Sequence, residues 1–240
     1  MIDAQTNKNK KGIYKYENVC VSAIIDSETC LLKTNKMSCD SILSLIDWRF
    51  EMAALYQRVS SSESLKDIWP SFIAERKRLY QTHKQSPLQR GKSITFFDYD
   101  PAFSFEVSLR PLSAINSQTV DGGKDGLIHL NAVAITSGLA PSLGVELTIY
   151  QLAHYGGGLF LPFRDDTNGG LSYGGGRYLI DTAKSAWLGF KSDRLRLDFN
   201  FSYFPSCAHN NTYVCPLSPP ENRLPIAIKA GERWEPNDPG

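Results

Sequence analysis

The chain has 240 residues, with 42% hydrophobic and 21% charged residues and a formal charge of +1. Such proportions suit a folded domain with a sizeable core, and the near-zero charge supplies no global field for nucleic acid or an anionic membrane. No run approaches the roughly 18 apolar residues that a membrane-spanning helix needs.

Residues 1 to 40 show weak periodicity and read as an extension, with a short strand expected at Val19 to Ile25. The polar start, Met1 to Gly12, is followed by Tyr14, Tyr16, Glu17 and Asn18, so no apolar signal core forms. The chain therefore reads as cytoplasmic, where disulfides are not the default for its five cysteines. Cys20, Cys30 and Cys39 match no metal spacing and read as incidental thiols.

Two helices come next, expected over 41–60 and 67–83. Ser41 is the expected N-cap of the first, with Ile42, Leu45, Ile46, Arg49, Met52, Ala53 and Tyr56 at helical spacing. The second carries Pro70 in its expected first turn and a stripe of Ile68, Phe72, Ile73, Arg76, Leu79 and Tyr80. The pair should pack as a hairpin.

After His83 the period becomes that of strands, expected at Ile94–Tyr99, Phe103–Leu109, Leu127–Ile135, Val145–Tyr150, Leu159–Phe163, Arg177–Asp181, Leu195–Tyr203 and Leu224–Lys229. Phe103–Leu109 and Leu195–Tyr203 alternate apolar and polar at every step, as in a sheet with one buried face. Asp121 to Gly126 reads as a turn between two strands. The expected fold class is α+β, mainly β: an antiparallel barrel or sandwich behind an N-terminal helical hairpin. The β-rich domain runs over 41–233, and 234–240 reads as a tail.

Gly156-Gly157-Gly158 and Gly174-Gly175-Gly176 superficially suggest phosphate loops, but each precedes a strand and no Gly-Lys-Ser/Thr follows. Sheet turns or close backbone approaches explain them more simply. A hairpin joining the strands on either side brings Arg164, Asp165, Tyr173 and Arg177 together. An arginine–carboxylate pair there is either a clamp on the turn or an anion site; the clamp is favoured. Asp198, Asn200 and Ser202 lie in line with Arg196 on one strand face, either solvated or convergent in a pocket. Cys207 and Cys215, separated by seven residues with His209 between them, do not match the paired spacing of a structural zinc site. They remain weak metal candidates, a possible disulfide, or inert thiols, the last being the leading reading. As a nucleophile Cys207 needs a base, for which His209 or His154 serves. Pro205, Pro216, Pro219, Pro220 and Pro225 stiffen a long loop from Phe204 to Leu224, in which Glu221 and Asn222 either cap backbone or enter a site.

Several of these segments resemble the family known as domain of unknown function 1684. The resemblance runs through Asp47-Trp48-Arg49, Glu75-Arg76, His83-Lys84-Gln85-Ser86-Pro87-Leu88 and Phe97-Asp98-Tyr99-Asp100-Pro101. It strengthens through Gly156 to Asp165, Tyr173 to Leu179, Leu197 to Asn200, Pro205 to Ala208, Cys215-Pro216-Leu217, Pro219 to Asn222 and Ala230-Gly231-Glu232. It implies a bacterial or archaeal, β-rich protein with polar positions at Arg164, Asp165, Tyr173, Arg177, Asp198, Asn200, Cys207, Cys215 and Asn222. His154 stands where the family more often places an acidic residue, and His209 departs from its usual aromatic or polar choice.

Three readings follow. The first is a domain binding an anionic small molecule through Arg164, Asp165, Tyr173, Arg177, Asp198, Asn200 and Asn222. The second is a hydrolase- or lyase-type enzyme centred on Asp165 or Cys207, and the third a structural domain without a site. No cofactor is implied, and the expected partner is a small-molecule ligand, without nucleic acid or membrane. Convergence of the named polar residues on one cavity is the observation that separates the readings.

Overall fold

A computed structural model describes residues 38–122, 126–153 and 157–234. The strand expected at Val19–Ile25, the thiols Cys20 and Cys30, His154, Gly156 and the 235–240 tail lie outside the described residues.

Helix α1 spans Cys39–Ser60. Its cap is Ser38, whose hydroxyl accepts the Ser41 N–H at 3.2 Å; Ser41, the expected cap, is the third helical residue. Asp40 in the first turn and Arg58 in the last match the helix dipole. Only the second half of the stripe is covered: Met52, Leu55, Tyr56 and Val59 are buried, while Ile42 and Ile46 are exposed. Helix α2 spans Leu65–Thr82, capped by Ser64 through the Asp67 N–H. Pro70 sits beyond the first turn, inside the helix, where the carbonyl four residues earlier loses its donor. The helices meet through an edge-to-face contact of Tyr56 and Phe72 at 5.5 Å. Among the described residues, no helix is long and apolar enough to cross a membrane.

The strands are β1 Thr95–Phe96, β2 Ser104–Asp121, β3 Leu127–Ser137, β4 Thr148–Leu152, β5 Leu159–Phe163, β6 Arg177–Asp181, β7 Phe190–Lys191, β8 Arg194–Asp198 and β9 Glu232–Arg233. Seven form one curled antiparallel sheet, a half-barrel in the order β6-β5-β4-β3-β2-β8-β7, and β1 pairs with β9 separately. Short helical turns α3, Ala140–Leu143, and α4, Ser206–His209, lie in the connections.

Both faces of the sheet are buried along much of its length. Val107, Ile149, Leu161, Phe163, Leu179 and Leu197 form one core with Leu224, Ile228 and Ala230. Tyr150, Phe160, Tyr178 and Tyr203 form a second with the helices, through Met52, Leu55 and Phe72. Every residue of β6 is accordingly buried. Of the two alternating runs, Phe103–Leu109 keeps Glu106 and Ser108 exposed, whereas Asp198, Asn200 and Ser202 are buried, which corrects the expectation of a polar face there.

Several expected strands are shorter or absent: Ile94–Tyr99 keeps only Thr95–Phe96, and Val145–Tyr150 begins only at Thr148. The Leu195–Tyr203 run stops as a strand at Asp198, because the Asp198 carboxylate accepts the Asn200 N–H and opens a 3₁₀ turn over Phe199–Phe201. Leu224–Lys229 alternates but is not a strand. Its carbonyls serve side chains and loop amides: Ile228 O accepts from Arg177, and Ile226 O from the Asp166 N–H.

Candidate functional site

The hairpin of β5 and β6 pairs Phe163 with Arg177 and holds the Arg177–Asp165 ion pair. Both side chains are fully buried. Arg177 donates to Asp165, to the carbonyl of Ile228 at 2.7 Å and to that of Ala230, and more weakly to Glu232 O at 3.3 Å. Asp165 also accepts the Thr167 N–H at 2.6 Å. Burial pulls the Arg177 pKa down, and the Asp165 charge opposes it. Arg177 is therefore a clamp that ties the 228–232 backbone to the hairpin, and neither partner presents a face to a ligand. Asp165, the expected acid or nucleophile, is sealed in the same way.

The other expected ligand residues lie apart from the clamp. Asp198 accepts from the Tyr99 hydroxyl at 2.9 Å and the Asn200 amide at 2.7 Å, while Asn200 Oδ1 accepts the Asp100 N–H at 2.9 Å. Burial pushes the Asp198 carboxyl above its ordinary pKa. Asn222 imitates a strand: it accepts the Thr148 N–H and donates to the carbonyls of Thr148 and Pro162, each within 2.9 Å. Asp198, Asn200 and Asn222 are all buried. Arg164 is half-buried and uses its backbone to bracket Asn222 and Leu224. Tyr173 sets its hydroxyl 3.7 Å from Cys207 Sγ. Arg196 donates to the backbone carbonyls of Ser62 and Leu188. These polar positions do not converge on one cavity; most of them splice irregular chain onto the sheet.

A second buried charge cluster lies where α2 meets β9. Arg76 Nε donates to Glu232 Oε1 at 2.8 Å, with both side chains fully buried. Arg76 Nη2 reaches the Tyr80 hydroxyl at 3.0 Å, and Glu232 Oε2 accepts the Phe204 N–H at 2.7 Å. Burial alone raises the Glu232 carboxyl, but Arg76, His209 and the Phe204 amide hold it below the ordinary value. The His209 side chain is 5% exposed, its Nε2 lies 3.7 Å from Glu232 Oε2, and that nitrogen has no hydrogen-bond partner. Its ring packs on Tyr80 and Phe204.

Beside this cluster opens a cleft of about 240 Å³. Phe204 and Trp234 give it apolar surface, and Asn210 and Asn211 give it amides. Lys92, His209 and Arg233 line it as actual or potential cations. The one carboxylate among the described lining residues is Glu232, already neutralised by Arg76. Arg233 and Trp234 are part of this wall: Arg233 is in β9, and Trp234, expected to begin the tail, instead donates its N–H to Leu171 O at 2.8 Å. None of Arg164, Asp165, Tyr173, Arg177, Asp198, Asn200 or Asn222 lines the cleft.

Cys207 also lines the cleft. Its N–H donates to Cys215 Sγ at 3.4 Å. The neighbouring Cys215 and burial push the Cys207 thiol up, and the Cys207 side chain and amide hold the Cys215 thiol down, at about 6. Cys207 is thus poorly suited to the nucleophile role. Among the described residues no three His, Cys, Asp or Glu side chains gather as a metal site.

Arg76, Glu232, Lys92 and Trp234 were not among the expected site residues. Arg76 carried a readable signal, a charge inside an apolar helical stripe.

A curled antiparallel half-barrel with a leading helical pair is a mainly-β member of the α+β class. The chain belongs to the family described as Protein of unknown function (DUF1684), whose model matches residues 90–233. It is also similar to an uncharacterized protein from Haloarcula marismortui known from a solution NMR structure. That similarity has a TM-score of 0.50 and 31% identity, covering 70% of this chain and 94% of that one. No curated protein matches the chain.

Proposed function

We propose that this chain is a binding domain for a small anionic molecule, and that the ligand occupies the cleft between Phe204, His209 and Trp234. The observation that supports this reading is the set of nitrogen donors on the walls. Lys92, His209, Asn210, Asn211 and Arg233 line one space, and such donors are the groups that hold a carboxylate or phosphate. At about 240 Å³ the cleft falls just below the roughly 300–1,000 Å³ of pockets for drug-sized ligands. A compact acid fits; a dinucleotide does not. Phe204 and Trp234 add flat apolar surface for the rest of the molecule.

The enzyme alternative has less support. Asp165 is saturated and sealed, and the Cys207 thiol is held protonated.

Thermal melting at constant ionic strength tests the binding reading, with inorganic phosphate and benzoate as probes and benzamide as the neutral control. A ligand at 100 times its Kd adds about 2.7 kcal/mol, so melting should rise with the logarithm of anion concentration. The combined change Lys92→Ala and Arg233→Ala should remove that rise. No rise with either anion at millimolar concentration, or an equal rise in the double variant, would end the reading.

A further inference from the structure

We propose that Cys207 and Cys215 are a redox-active dithiol that closes reversibly to a disulfide. This goes beyond the ligand reading and does not depend on it.

Three features of the site carry the inference. The first is proximity: Cys207 N lies 3.4 Å from Cys215 Sγ, and both residues are only partly buried. That contact sets the Cys215 sulfur beside the Cys207 backbone, within the loop that runs from α4 to residue 215. The second is the surroundings of Cys215. Its sulfur accepts the Cys207 N–H at 3.4 Å, and that amide together with the positive charge of Lys184 favours the thiolate. The third is the asymmetry of the pair. Cys207 has the Tyr173 hydroxyl 3.7 Å away, and the neighbouring Cys215 and burial push its thiol up. One sulfur is set up as the attacking thiolate and the other as the protonated partner that resolves the product.

The chemistry balances with a peroxide as oxidant. Cys215 thiolate attacks one peroxide oxygen, the O–O bond breaks, and hydroxide leaves as Cys215 becomes a sulfenic acid. Cys207 sulfur then attacks the Cys215 sulfur, expelling the oxygen as water and forming the S–S bond. Overall two thiols and one hydrogen peroxide give one disulfide and two waters. A low-molecular-weight disulfide serves equally, accepting the two electrons and leaving as two thiols. The bond closes a loop of seven intervening residues, most of them exposed, so little packing opposes it.

Rate alone is a weak test at neutral pH. A thiol near 6 is ionised about 30-fold more than one at ~8.5, but loses about 13-fold in intrinsic nucleophilicity, leaving roughly a twofold advantage. At pH ~5.5 ionisation dominates, and Cys215 should alkylate about 20-fold faster than an unperturbed thiol.

The decisive experiment treats the full chain with equimolar hydrogen peroxide and maps peptides without reduction. The expected result is a Cys207–Cys215 crosslinked peptide lighter by two hydrogens, which dithiothreitol reverses. Cys207→Ser should leave a sulfenic acid on Cys215 that dimedone traps, while Cys215→Ser should slow thiol loss at the site at least tenfold. Oxidation that leaves both thiols alkylatable, or that ends in sulfinic acid without the crosslink, would overturn the proposal. A thiol count in native and urea-unfolded protein shows whether each variant has kept its fold.

Discussion

Arg76 on α2 and Glu232 on β9 stand 156 residues apart in sequence and meet at 2.8 Å, both sealed from solvent. Around them the Tyr80 hydroxyl, the Phe204 amide and His209 complete the shell. The pair joins the helical layer to the last strand.

Removing one partner strands a charge in the core. Arg76→Met or Glu232→Gln should each destabilise the protein by about 3–5 kcal/mol. Arg76→Met combined with Glu232→Leu should cost clearly less than the sum of the single losses, because no buried charge is left behind. Urea unfolding of the four proteins measures the coupling, and strict additivity would mean that the two residues do not stabilise one another.

The same pair sets an acid limit. Burial raises the Glu232 carboxyl and Arg76 with its neighbours lowers it further, so its folded pKa lies below the ordinary value. Its contribution is therefore present above the unfolded carboxylate range and is lost as pH falls through the folded pKa. Wild-type stability should drop between about pH 4.3 and the lower folded value, at up to ~1.4 kcal/mol per pH unit from this group. Glu232→Gln should be less stable at neutral pH and lack that part of the slope. Asp198 shifts the opposite way through burial but is common to both proteins, so the difference between their urea midpoints against pH isolates Glu232.

Arg177 serves a carboxylate and backbone carbonyls with one planar fork. Lysine keeps the charge but cannot span these acceptors. Arg177→Lys should cost about 3 kcal/mol and increase amide exchange across 224–230, the segment the fork secures. Unchanged exchange there would show that the segment is held by its apolar contacts alone.

Gly231 has φ +78, and a Cβ there would lie 2.6 Å from the carbonyl oxygens of Phe199 and Ser202. Gly169 has a similar φ of +81 but open space around it. Gly169→Ala should cost only the left-handed backbone penalty of about 1–2 kcal/mol. Gly231→Ala adds the clash and should cost at least ~2 kcal/mol more. Equal melting temperatures for the two variants would contradict the packing at Gly231.

The sequence shows local pattern well and distant pairing badly. Strict alternation over Phe103–Leu109 is the alternating burial of β2, and the apolar stripe of Phe72, Leu79 and Tyr80 is the buried side of α2. Leu224, Ile226 and Ile228 alternate just as cleanly, yet their backbone is recruited by Arg177 and Asp166 rather than by a neighbouring strand. The Arg177–Asp165 clamp was legible, since a hairpin brings those residues together. The cleft was not. Lys92, Phe204, His209 and Arg233 come from separate stretches, and only the pairing of Thr95 with Arg233 across β1 and β9 brings the first stretch to the last.

The position of Glu232 also shapes how the protein is made. At roughly 5–20 residues per second, synthesis needs about 8–30 s to travel the 156 residues from Arg76 to its partner. Throughout that interval the nascent α2 holds an arginine whose partner carboxylate does not yet exist, and β1 lacks the strand it pairs with. The two helices can form early and meet Tyr150, Phe160 and Tyr178 as these emerge, but the Arg76 contact waits for Glu232. A messenger cut short before that codon yields a chain with its principal ion pair half-built, a natural substrate for chaperones and proteases.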